Sequence, residues 1–322
     1  MGANEPHWNI LIGSRSFGQI FTEHIKQLED AGCTVLPNTV GRAYRAAELM
    51  DALAHVDAII TGTDELTADV IAHADRLKTI AKHGIGLETI DLDAARARGI
   101  VVSATPLAIG DSVADLTLAL LLAVARKVVP AHNVTVAGGW KNLTGMELRN
   151  KVLGIVGLGR IGREVCLRGQ GFGMRVVAHD PYPNHGFAAD HQVTFVPLDE
   201  LLATADVVTL HLPAEQVAGP LLGAAEFARM KPGALLLNTA RGALVDETAL
   251  VATLRSGRLG GAGLDAFVDE PPVGSPLLTA PNVVLTPHIG GSTVDGRRRM
   301  GEQVIENLLR VRRGEPPLYQ VT

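Results

Sequence analysis

A chain of 322 residues is long for one core and implies two domains of ordinary size. Its 47% apolar content can fill both cores, while 29 basic against 34 acidic residues, a net charge of −5, leave no basic track for nucleic acid. The longest apolar run, Leu118 to Ala125, falls far short of the roughly twenty residues that cross a bilayer, and no charged-then-apolar signal opens the chain, so no membrane role and a cytoplasmic location are expected.

The first hundred residues alternate short apolar strands with helical stretches. Strands are predicted at Asn9 to Ile12, Thr34 to Leu36, Ala58 to Thr61, Lys78 to Ala81 and Ile100 to Val102, with amphipathic stretches such as Phe21 to Ala31 and Ala46 to His55 between them. That alternation predicts a parallel sheet covered by helices. Cys33, here, and Cys166, farther on, show no metal or redox spacing and read as small buried side chains. From Thr105 the character changes. Pro106 and Gly110 break the chain, Asp111 or Ser112 can cap a helix, and an Ala/Leu-rich helix runs to about Lys127. Its apolar surface exceeds one stripe, so it must be buried inside the monomer or against a second subunit.

After Trp140 comes the most informative segment. The strand Val152 to Val156 runs into Gly157-x-Gly159-x-x-Gly162, a helix follows through Arg163 to Arg168, and a second strand, Met174 to His179, ends in Asp180. This is a dinucleotide fingerprint in context: Gly157 permits the tight turn, Gly159 admits a pyrophosphate to the backbone, and Gly162 lets the helix pack closely on the strand. The phosphates would rest on the helix N-terminus. Asp180 accepts hydrogen bonds from ribose hydroxyls and repels a 2′-phosphate, and no Arg or Lys follows in Pro181 to Asn184, so NAD is expected rather than NADP.

Further strands are predicted at Val207 to Leu210, Ala234 to Asn238, Gly263 to Leu264 and Val283 to Thr286, and a closing helix at Val304 to Arg312 before Gly314-Glu-Pro-Pro317. The Arg297 to Arg299 cluster lies at a helix start and reads as solvated surface. Three polar residues sit where buried strands end: Arg241, Glu270 and His288. Ligands of open α/β sheets bind at those ends. Arg241 can clasp a carboxylate in two parallel bonds, His288 can exchange a hydroxyl proton near neutral pH, and Glu270 can hold the far imidazole nitrogen and favour its charged form. A metal role for Glu270, His288 and His211 has no ligand spacing behind it, so no metal is expected.

These segments together resemble the D-isomer-specific 2-hydroxyacid dehydrogenases. The likeness rests on Gly157 to Arg163, Asn238 to Asp246, Gly263 to Phe267 with Glu270-Pro-Pro272, and Thr286 to Gly290. It implies two Rossmann-like or flavodoxin-like doubly wound parallel-sheet domains of α/β class with the active site in the cleft between them. The substrate domain would be discontinuous, 1–103 with 291–322, and the NAD-binding domain would span 104–290. By the same resemblance Arg241 binds substrate, Glu270 and His288 form the acid/base pair, and Asp265 contacts the nicotinamide amide. Arg160, Ile161, Asp180, Leu212, Ala240 and Gly290 would join Gly157, Gly159 and Gly162 in lining the cofactor. Members usually pair through the NAD-binding domain, so a homodimer is implied.

Within the family, Arg15 to Gly18 and Lys82-His-Gly-Ile-Gly86 look most like short 3-phosphoglycerate dehydrogenases without a regulatory domain. There, the loop Lys82, His83, Gly84 and Ile85 would offer backbone N–H groups to the substrate carboxylate. Glu88-Thr89 stand where the family commonly has Asp-Asn, and Asp115 where it commonly has Glu. The expected reaction is 2-hydroxy acid to 2-keto acid with 3-phosphoglycerate as first substrate and Lys82, Arg15 and Arg42 as candidate phosphate cations. The alternatives are a glyoxylate or hydroxypyruvate reductase and, in another class, a non-catalytic NAD-sensing scaffold resembling the corepressors that share this fold.

Overall fold

The structure, a computed structural model, describes residues 6–213 and 219–322. Contacts divide the chain into two units, 1–109 with 291–322 and 110–290.

In the first unit, strands β1 (Asn9–Ile12), β2 (Thr34–Leu36), β3 (Ala58–Thr61), β4 (Thr79–Lys82) and β5 (Val101–Ser103) form one parallel sheet in the order β2-β1-β3-β4-β5. Helices α1 (Glu23–Asp30), α2 (Ala46–Ala52), α3 (Ala68–His73) and α4 (Leu92–Ala97) cross between the strands. β3 and β4 are buried at all four positions, as strands covered on both faces are. The order reverses between β1 and β3, where a doubly wound sheet opens a crevice beyond its strand ends.

The second unit holds α5 (Gly110–Ala125), α6 (Val128–Val136), β6 (Val152–Val156), α7 (Arg160–Gly171), β7 (Arg175–His179), α8 (His185–Asp190), β8 (Thr194–Phe195), α9 (Leu198–Thr204), β9 (Val207–Leu210), α10 (Ala224–Arg229), β10 (Leu235–Asn238), α11 (Glu247–Arg255), β11 (Gly261–Leu264) and β12 (Val283–Leu285). Its seven parallel strands run β12-β11-β10-β9-β6-β7-β8, and the reversal falls between β6 and β9. Both sheets are the doubly wound kind read from the sequence. Among the described residues no helix is long and apolar enough to cross a membrane.

Three readings change. The helix predicted from an Asp111 or Ser112 cap begins at Gly110 and ends at Ala125, so neither residue caps it. It packs on α7, β10 and β11, with Leu118, Leu120, Leu121 and Val124 buried, and its all-round apolarity is therefore largely used within the unit. The closing helix α12 (Val294–Arg312) starts ten residues earlier than predicted, capped by Thr293 Oγ1, which accepts from the Gly296 N–H at 2.9 Å. Gly296 and Gly301 lower its helical signal, yet both are buried, and a Cβ on Gly301 would stand 2.2 Å from His24 Nδ1. The Arg297 to Arg299 cluster falls in the first turns of this helix, with Arg298 exposed and Arg297 and Arg299 half-buried. Arg298 lies 4.2 Å from the Phe21 ring centre, and Arg299 Nε donates to the Ala108 carbonyl at 2.9 Å.

Candidate active site

β6 carries the chain to the reversal point of the second sheet, and Gly157 turns it there with φ +95°. A Cβ at Gly157 would stand 2.8 Å from the His211 backbone beyond β9 and 3.0 Å from Leu212 Cδ2. At Gly162 a Cβ would meet the Gly157 carbonyl oxygen at 2.1 Å, so α7 can approach the turn only because that position has no side chain. Gly159 is different: nothing lies within 4 Å of its ideal Cβ. Its bare backbone and the N-terminus of α7 at Arg160 frame open space, the arrangement that accepts a pyrophosphate.

Asp180 stands just past β7. Its Oδ2 accepts from the Leu158 N–H at 2.7 Å and its Oδ1 from the Tyr182 N–H at 2.8 Å, which ties the carboxylate to the glycine-rich turn. Ile161 is half-buried on α7, Ala240 half-buried after β10, and Leu212 buried beneath Gly157. His211 is half-buried, burial pushes its pKa down to about 3, and its Nε2 pairs with Thr209 Oγ1 at 2.9 Å.

On the other half of the same sheet edge, β10, β11 and β12 deliver the three predicted polar residues. His288 Nδ1 meets Glu270 Oε2 at 2.8 Å and Oε1 at 2.9 Å, with side-chain exposures of 47% and 39%. A pair this open adds at most about 1 kcal/mol to stability. Its consequence is orientation: Nδ1 is engaged by the carboxylate, which leaves Nε2 for a reacting group. Glu270 Oε1 is itself held by the Phe267 N–H at 3.1 Å.

Arg241 follows β10. Asn238 accepts from the Ala240 N–H at 3.0 Å and donates to the Arg241 carbonyl at 2.8 Å, while Arg241 Nη1 donates to the Ala240 carbonyl at 2.9 Å. Gly242 lets this turn lie against the chain beyond β11, since a Cβ there would come within 1.9 Å of the Phe267 carbonyl carbon.

Asp265, 1% exposed, accepts from the Ile289 N–H (2.8 Å) and Thr286 Oγ1 (2.6 Å) through Oδ1, and from the Gly290 N–H (2.8 Å) through Oδ2. It thereby clamps the turn on which His288 sits in the left-handed region at φ +52°. Sequence reasoning gave Asp265 only a cofactor contact, and the clamp has no local signal because its partners lie more than twenty residues away. The buried pair Thr117 Oγ1 to Thr239 Oγ1, 2.8 Å, was likewise missed.

The first unit holds Lys82, His83, Gly84 and Ile85. Lys82 Nζ donates to the Gly62 carbonyl, and the Gly84 N–H donates to Thr105 Oγ1 at 3.1 Å. His83 Nδ1 meets Ser16 Oγ at 3.0 Å and Ser14 Oγ at 3.3 Å. Burial, followed by the charges of His24, Arg297 and Lys82, holds His83 down to about 4. Arg42 is removed from the phosphate candidates: it is paired with Glu48 at 2.6 Å and 2.8 Å.

A glycine turn at the reversal point, an acid at the end of the second strand and a carboxylate-bound histidine on the same edge define a dinucleotide-dependent oxidoreductase. The model of the D-isomer specific 2-hydroxyacid dehydrogenase NAD-binding domain matches residues 118–290. A D-3-phosphoglycerate dehydrogenase of Methanocaldococcus jannaschii is 40% identical over 90% of this chain, which spans 56% of that longer relative. A glyoxylate reductase of Thermococcus litoralis is 39% identical over 84% of each chain. A solved protein of Thermus thermophilus superposes with a TM-score of 0.88 and 41% identity over 98% of this chain and all of that one. The chain belongs to the D-isomer-specific 2-hydroxyacid dehydrogenases, and NAD is the cofactor of its second unit.

Proposed function

We propose that this chain interconverts a D-2-hydroxy acid and its 2-keto acid, with 3-phosphoglycerate as the first substrate to test. The observation that carries the reading is the Glu270–His288 pair on the sheet edge that also bears the glycine-rich turn. Gly157, Gly159, Gly162 and Asp180 would hold NAD, which would supply the acceptor for the hydride, with its two electrons, that leaves C2. His288 Nε2 accepts the hydroxyl proton as C2=O forms, and Glu270 favours the imidazolium that results. Arg241 holds the substrate carboxylate and polarises the oxygen on C2. In the first unit, the Ile85 and Gly86 N–H groups donate to no described protein acceptor, which suits them to a carboxylate oxygen.

A second reading, glyoxylate reductase, is favoured by the match to the Thermococcus enzyme over 84% of its length. NADH oxidation by the purified protein with 3-phosphohydroxypyruvate, hydroxypyruvate and glyoxylate decides between them. The absence of turnover with all three would refute the enzymatic reading.

The protein works in the cytoplasm as a homodimer in this proposal. α6 buries none of its residues, and Val128 (51% exposed), Val136 (73%) and the following Trp140 (96%) form an apolar stretch that a second copy would cover. Sedimentation at micromolar concentration should give a dimer or larger, and a stable monomer would remove this element.

A further inference from the structure

The carboxylate that engages His288 hangs from a loop, and a second acid holds that loop. Between β11 and the 3₁₀ turn Pro276–Thr279 the chain forms no strand or helix, and Glu270 sits there with Val268, Asp269 and Pro271 exposed around it. Such a segment needs tethers from outside. Glu247, the first residue of α11, supplies two: its Oε1 accepts from the Val268 N–H at 2.8 Å and its Oε2 from Ser275 Oγ at 3.3 Å. One contact falls on each side of Glu270.

Both ends of this bracket are anchored. Ser275 Oγ accepts from the Leu277 N–H at 3.3 Å, and Leu277, 1% exposed, is seated in the core of the unit. At the other end Phe267 is buried, and Gly242 packs so closely that a Cβ on it would stand 2.3 Å from the Val268 nitrogen. Successive amides of one turn therefore serve the two acids, the Phe267 N–H going to Glu270 Oε1 at 3.1 Å and the Val268 N–H to Glu247. The other acids of these segments stand apart from the bracket. Asp246 caps α11 by accepting from the Ala249 N–H at 2.9 Å, Asp265 holds the Gly290 N–H at 2.8 Å, and Asp269 is exposed. Because Asp246 already caps the helix, capping does not account for Glu247.

We propose that Glu247 is a positioning residue for the acid/base pair: it fixes the backbone from which Glu270 reaches His288. This rests on the 2-hydroxy acid reading above and adds to it a residue that acts through Glu270. Without the bracket the Val268 N–H turns to water and Glu270 spends part of its time away from His288. Imidazolium is then less favoured, so keto-acid reduction, which consumes its proton, is lost first on the alkaline side.

The test is a double-mutant cycle on whichever of 3-phosphohydroxypyruvate, hydroxypyruvate and glyoxylate the wild type reduces fastest. Glu247→Ala should lower kcat about tenfold, most at alkaline pH, with NADH affinity unchanged within about twofold. Glu247→Gln still accepts from the Val268 N–H and should return to within about threefold of the wild type. In a Glu270→Gln background Glu247→Ala should cost less than about twofold, since the charge it positions is gone. Equal losses in the two backgrounds, an unchanged pH profile, or a lower Tm beside a normal kcat would each overturn the assignment. Should Glu247→Ala fail to fold, Ser275→Ala removes one contact and should give the same alkaline loss at about twofold, and no loss there overturns it equally. Amide exchange reads the bracket without turnover: the Val268 N–H should exchange about tenfold faster in Glu247→Ala, and an unchanged rate removes the bracket. No turnover of any keto acid by the wild type, beside that faster exchange, would sink the dehydrogenase reading alone.

Discussion

His83 and His288 each stand just past the carboxyl end of a parallel strand, one in each sheet, and their surroundings are opposite. His288 is half-open and carries a carboxylate on Nδ1. His83 is enclosed, carries two serine hydroxyls on Nδ1, and is kept neutral by burial and nearby positive charge. A histidine that must take up and release a proton needs solvent or substrate on one nitrogen and a negative charge on the other. A histidine that only orients hydroxyls needs neither. The strand-end position is shared, and the partners assign the task.

The comparison is broken most directly at His288. His288→Ala should lower turnover by roughly a hundredfold or more with NADH affinity nearly intact, because general acid/base catalysis contributes about 10² to 10⁴. A tenfold loss or less, read in single-turnover kinetics, would place the proton elsewhere.

At His83 the effect is on stability. The unfolded chain takes a proton near the ordinary 6.5 whereas the folded one resists it down to about 4, so folding stability is lost as pH falls from about 6.5 to 4. His83→Gln should flatten that fall by up to about 3 kcal/mol in urea unfolding. Equal pH dependence in variant and wild type would mean that His83 is protonated in the fold.

Glu270→Gln sharpens the contrast from the other side. It keeps a hydrogen bond to His288 but removes the charge that favours imidazolium, so activity in keto-acid reduction should be lost first on the alkaline side. An unchanged pH profile would uncouple the pair.

The smallest effect is expected at Asp180, whose carboxylate is tied to the glycine turn through the Leu158 N–H. Asp180→Ala should weaken NAD binding and narrow its margin over NADP by about tenfold, one lost hydrogen bond or charge repulsion. A wild type that prefers NADP would reverse the assignment.

The architecture was legible because its signals are local. Short, mainly apolar runs such as Val207–Leu210, four residues long and rich in β-branched side chains, fit strands covered on both faces, and Gly157, Gly159 and Gly162 at their spacing after a strand fit a dinucleotide turn. Arg241, Glu270 and His288 were visible as polar residues closing such runs. Strand edges drifted by a residue or two, as at β4 and β5, because hydrogen bonding to neighbours rather than apolarity sets where a strand stops.

What the sequence by itself determined, then, is the succession of strands and helices, the dinucleotide turn and the identities of the polar residues at strand ends. Tertiary structure alone decided which of them meet. It joined Glu270 to His288, set Asp265 under the turn of Ile289 and Gly290, and closed Ser14 and Ser16 on His83, sixty-nine and sixty-seven positions away. It also withdrew Arg42 into an ion pair and sank the apolar face of α5 into its own unit. Hydrogen bonds and burial depend on distances in space, and a spacing in sequence constrains those only within a turn or two of regular structure.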